Sequence, residues 1–97
     1  MPQYSYSKTI SMDFETALQK TEAALKEQGF GIITRIDAKE TLKNKLGVDF
    51  IPYVILGACN PKFAYKALNI ERDVGLLLPC NVIVYQEGDT VKVAALK

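Results

Sequence analysis

A chain of 97 residues with a formal net charge of +1 has room for one hydrophobic core, so residues 1–97 read as a single domain. Apolar residues make up 48% of it, enough to pack a core without disulfide or metal staples. The near-neutral charge, with basic residues interleaved among acidic ones, removes the electrostatic case for a nucleic-acid partner, which needs clustered Lys and Arg.

Tyr4, Tyr6 and Lys8 alternate with Ser5, Ser7 and Thr9, a period-two pattern that predicts a first strand near residues 3–10. Ser11 stands where an N-cap belongs, and Asp13 and Glu15 follow in the dipole-favoured first turn of a helix over about 12–28. Its apolar stripe is Phe14, Ala17, Leu18, Thr21, Ala24 and Leu25, and Gly29 is the left-handed stop. The β-branched run from Phe30 to Ile36 predicts a second strand, with Gly31 marking a bulge or a weak point. Asp37 then caps a short helix over 38–46, with Ala38, Leu42 and Leu46 on one side and Gly47 closing it.

Pro52 cannot donate to a sheet ladder, so the third strand starts after it, at Tyr53–Leu56. Asn60 and Pro61 are a cap and first-turn pair for a third helix reaching Asn69, with Phe63, Ala64, Ala67 and Leu68 inward. An extended apolar connector, Val74–Pro79, leads to a fourth strand through Tyr85. The turn Glu87-Gly88-Asp89 leads into a last strand with Val91, Val93 and Ala95 on one face. The order β-α-β-α-β-α-β-β predicts an α+β fold, a mixed and mostly antiparallel sheet with helices on one face. The sheet's other face then stays partly apolar unless a second protomer covers it, which predicts a homodimer.

The start Met1-Pro2-Gln3-Tyr4-Ser5 has no basic region leading into an apolar segment, so no signal peptide is expected. No apolar run approaches the roughly 20 residues of a membrane span. These features predict a cytoplasmic protein with no membrane partner and with reduced thiols. The absence of histidine excludes the usual Ser-His and Cys-His nucleophiles and removes the commonest metal ligand, so neither a metal nor a cofactor is expected.

The chemistry that remains concentrates in two segments, Gly57-Ala58-Cys59-Asn60-Pro61 and Leu78-Pro79-Cys80-Asn81-Val82, which hold the chain's only cysteines. Cys59 precedes a capped helix, so its sulfur is expected near the positive end of the dipole, a setting that activates thiols. If the chain doubles back after the third helix, Cys80 returns beside Cys59. Gly57, Cys59, Asn60, Cys80 and Asn81 are then candidates for a small-ligand or sulfur-species site, with the Asn amides as orienting donors. Two alternatives stand beside it: cysteines that merely fill the core of a structural or regulatory interaction protein, and thiol-based redox or sulfur-transfer catalysis.

These two Cys-Asn segments, with the Gln28-Gly29-Phe30-Gly31 helix end and the short helix opening at Asp37, resemble the signature of the Domain of Unknown Function 302 family along essentially the whole chain. The resemblance implies a small α+β domain with a curved sheet, similar in topology to one half of the TATA-binding protein. It also implies an intracellular, commonly dimeric protein, and it carries no settled activity.

Overall fold

A computed structural model describes residues 5–96 of the chain. The elements are β1 (Ser5–Ile10), α1 (Phe14–Glu27), β2 (Gly31–Asp37), α2 (Ala38–Leu46), β3 (Tyr53–Cys59), α3 (Pro61–Ile70), the 3-10 helix η1 (Arg72–Leu77), β4 (Cys80–Glu87) and β5 (Thr90–Leu96). The start expected for the first strand, residues 3 and 4, lies outside the described residues.

The expected α+β order holds, with helices on one face of a curved five-stranded sheet. Strand order is β1-β5-β4-β3-β2, and all four neighbouring pairs are antiparallel. The β3–β4 register, from Tyr53 opposite Tyr85 to Ala58 opposite Cys80, runs without a shift. Between β2 and β3 there is one irregularity, Ile32 pairing with Ala58 and Thr34 with Gly57, so Ile33 is the extra residue of a bulge.

Side chains alternate across a strand, so the register sorts residues onto two faces. Val54, Leu56, Val82, Val84 and Val91 share the helix-covered face, where Ala17 and Leu18 of α1 complete the buried core. Tyr53 and Tyr85 pair on the opposite, open face, their rings stacked 5.2 Å apart, with the Lys92 ammonium 5.9 Å from the Tyr85 ring centre.

Helix ends follow local chemistry. Asp13, not Ser11, is the N-cap of α1: its carboxylate accepts from the Thr16 backbone N–H at 3.0 Å and from the Thr16 hydroxyl at 2.7 Å. An ionised carboxylate is the stronger acceptor for those donors, and it also faces the positive helix end. Gly29 at φ 87° and Gly47 at φ 68° supply the left-handed stops of α1 and α2. Asp37 caps α2 through the Glu40 N–H at 2.9 Å.

The region after β3 departs from expectation. Strand β3 continues through Gly57 and Ala58 to Cys59 instead of turning at Gly57. The connector is wound into η1 over Arg72–Leu77, capped by Glu71, rather than extended. Helix α3 buries no residue: Phe63, expected inward, is 70% exposed, and Leu68 is also exposed. Leu46, expected on the inner side of α2, is exposed as well. Periodicity identifies residues that share a face of a helix, but it does not say that another element lies against that face.

Candidate functional site

Both Cys-Asn segments arrive at one end of the sheet, because β4 runs antiparallel to β3 and sets Cys80 opposite Ala58. The doubling back of the chain is therefore real. It brings Cys80 opposite the residue next to Cys59, but the two side chains are set on different faces. Cys80, in register with Ala58, belongs to the helix-covered face. Cys59 is one residue further along β3 and so projects to the open face. Cys59 is half-buried and Cys80 exposed, and both are free thiols. Two cysteines whose Cβ vectors point apart cannot be bridged without moving backbone.

Asn60 is spent on structure. Its side-chain oxygen accepts from the backbone N–H groups of Lys62 at 3.1 Å and Phe63 at 3.4 Å, capping α3, with Pro61 at the first helical position. Gly57 also has a packing role. It is buried on the open-face row between Thr34 of β2 and Asn81 of β4. A Cβ there would overlap the Thr34 hydroxyl oxygen and approach Pro79 Cγ to 2.9 Å. The absent side chain is what lets Thr34 and the Pro79 ring close over β3. The Leu78–Pro79 peptide is cis.

Cys80 and Asn81 are placed differently. They stand at the mouth of a cavity of about 730 Å³ whose wall comes from the start of β4, the end of β5, the end of α1 and the approach to β4. Leu25, Phe30, Ala58, Val82 and Ala95 line it from the helix-covered side, and Leu77, Pro79 and the open-face residues Ser5, Ile83, Ala94 and Leu96 complete it. Cys59, Asn60 and Gly57 do not contribute to this wall. Of the five candidates, Cys80 and Asn81 are among the residues lining a cavity, Asn60 caps a helix, Gly57 admits neighbouring side chains, and Cys59 projects to the open face, the face on which the register also sets Asn81.

Leu25, Phe30 and Leu77 were not singled out as site residues from the sequence. Leu25 and Phe30 flank the α1 stop, and nothing in the sequence says that this stop sits beside the start of β4. A second, smaller cleft of about 390 Å³ lies by α2 and holds Asp37, Lys39, Glu40, Lys43 and Asp49. Several of its polar groups are already engaged: Lys43 pairs with Asp49 at 3.3 Å, Lys39 donates to the Phe50 carbonyl at 2.9 Å, and Asp37 caps α2. Among the described residues no group of three or more His, Cys, Asp or Glu is arranged to hold a metal ion. No described helix is long and apolar enough to cross a membrane.

The family model for the domain of unknown function DUF302 matches residues 6–97. The chain belongs to the DUF302 family. A similar DUF302 fold is found in the crystal structure of an uncharacterized conserved DUF302 protein from Bacillus stearothermophilus, 37% identical. The likeness covers 99% of this chain and 75% of that one, with a TM-score of 0.90. No match was found among curated proteins. Membership of the DUF302 family fixes the fold and leaves the activity to be argued from the site.

Proposed function

We propose that this DUF302 domain is a small homodimeric binding module that takes a small ligand in the cavity edged by Cys80 and Asn81. The observation that carries this reading is the cavity itself. Its volume lies within the 300–1,000 Å³ usual for small-molecule sites, and two of the Cys-Asn residues stand at its mouth. Gly57 acts on the site from behind by seating Pro79, the residue immediately before Cys80.

The test is protection of Cys80. A maleimide should label Cys80 readily in the folded protein, since the thiol is exposed, and a bound ligand should slow that labelling. Screening a mixed set of anionic, cationic and neutral small molecules for slowed Cys80 labelling, read by peptide mass spectrometry, should yield at least one protecting class. A set in which no member protects Cys80 overturns the binding reading.

A structural or regulatory role is a second reading, favoured by the α3–η1 region. Tyr65, Ile70, Leu76 and Leu77 are all more than 70% exposed, a concentration of apolar surface that a second protomer or a regulatory partner would cover. Sedimentation at micromolar concentration should report a dimer. A monomer that stays soluble there removes the homodimer.

A further inference from the structure

Resting on the reading above, we infer that the ligand of the 730 Å³ cavity is an uncharged, largely hydrocarbon molecule whose single polar group lies at the Cys80–Asn81 end. Charged residues are 24% of the chain, which would place about three among the thirteen that line the cavity, yet none of the thirteen is Asp, Glu, Lys or Arg. Five charged side chains line the separate cleft beside α2. The two concavities differ in kind, one charged and internally paired, the other apolar.

That composition selects by exclusion. A carboxylate, phosphate or ammonium drawn past the exposed Cys80–Asn81 end into the larger cavity sheds water and meets no countercharge among the described residues that line it, and a buried unpaired charge costs far more than a buried methylene gains. Leu25, Phe30, Val82 and Ala95 offer hydrocarbon contact along the wall. The side chains of the lining able to exchange hydrogen bonds are the weak thiol of Cys80 on the helix-covered side and, around the end of the sheet on its open-face side, Ser5 and Asn81, the last with amide donors and a carbonyl acceptor. A hydroxyl, carbonyl or amide on the ligand is fully satisfied by Asn81, whereas an ionised group gains hydrogen bonds there but no countercharge from the lining. In this setting the Cys80 thiol serves as a small polarizable wall group.

Calorimetric titration of the wild-type protein at pH 7 with straight-chain alcohols from butanol to decanol, against the carboxylates of equal chain length, tests this. Alcohol affinity should rise about fourfold per methylene until the cavity is filled, and each carboxylate should bind about tenfold or more weakly than its alcohol. Cys80→Asp puts a carboxylate in the wall at an exposed position and should weaken alcohol binding about tenfold with the circular dichroism unchanged. If that variant does not fold, the wild-type series decides alone. Carboxylates that bind as tightly as alcohols, or alcohol affinity that is flat with chain length, overturn the inference. If anions protect Cys80 from labelling and alcohols do not, the ligand class is wrong and the binding reading stands. If nothing protects it, both fall.

Discussion

Gly57 is the residue at which a sequence motif turns out to be a packing device. Thr34 and Pro79 occupy the space a Cβ would need, and both are held by backbone on neighbouring strands or their approaches. Gly57→Ala should destabilise the domain by about 1–3 kcal/mol, the usual cost of overpacking. Urea unfolding of Gly57→Ala, Thr34→Ala and the double variant should show the two changes compensating in part, because Thr34→Ala removes the oxygen that the new methyl meets. Strict additivity would refute the contact. Asp13 makes a different prediction. Its hydrogen bonds from the Thr16 hydroxyl and the Thr16 N–H hold its carboxyl below the ordinary value of 3.8. A depressed folded-state pKa contributes stability above the unfolded value, and that contribution is lost as pH falls through the folded one. Asp13→Ala should therefore melt lower than wild type at pH 7, and the two melting curves should converge in acid. A gap that persists unchanged at pH 2 would argue against the cap as its source. Both residues show what the sequence discloses. Asp13 was visible as a first-turn acid but stood two positions from the expected cap, and Gly57 was visible only as part of a repeated pattern.

At the scale of elements, legibility follows the range of the physics involved. Gly29, Asp37, Gly47 and the Asn60-Pro61 pair act through their own backbone and nearest neighbours, and each marks a boundary where expected. The length of β3 was underestimated because Gly57 and Cys59 have little strand character of their own; pairing with β2 and β4 on either side keeps them extended. The faces of Cys59 and Cys80 were hidden for the same reason. Period two reverses the outcome with a shift of a single residue, and register is fixed by partners far away in the chain. Asn60→Ala removes the acceptor for the first N–H groups of α3, a helix with no buried residue to anchor it. It should cost about 1 kcal/mol. Amide exchange in residues 61–70 should accelerate more than in β3, whereas uniform acceleration would show that α3 unfolds only with the whole domain.

Across the whole molecule, apolar surface is divided unevenly between α1 and α3. Leu18 is 1% exposed at the centre of the core, while Phe63 is 70% exposed on a helix that buries no residue. Leu18→Ala should cost about 2–5 kcal/mol at any protein concentration. Phe63→Ala should be nearly silent in dilute solution and should lower the midpoint only where protomers associate, so its effect should grow with protein concentration. Equal losses from both variants in dilute protein would mean that α3 contributes to the core after all. The fold class was readable because alternation and capping recur along the chain, and the candidate site was only half readable because a cavity is a property of elements brought together.

Among the described residues the first strand pairs only with the last, Ser5 opposite Leu96, whereas β4 and β5 meet across the two-residue turn at Gly88-Asp89. A local hairpin of this kind closes quickly, while a pairing that spans nearly the whole chain must wait for its distant partner. Refolding is thus expected to begin at the hairpin and finish with β1 docking at the sheet edge. Changes in β1 would then leave the refolding rate almost untouched and hasten unfolding instead.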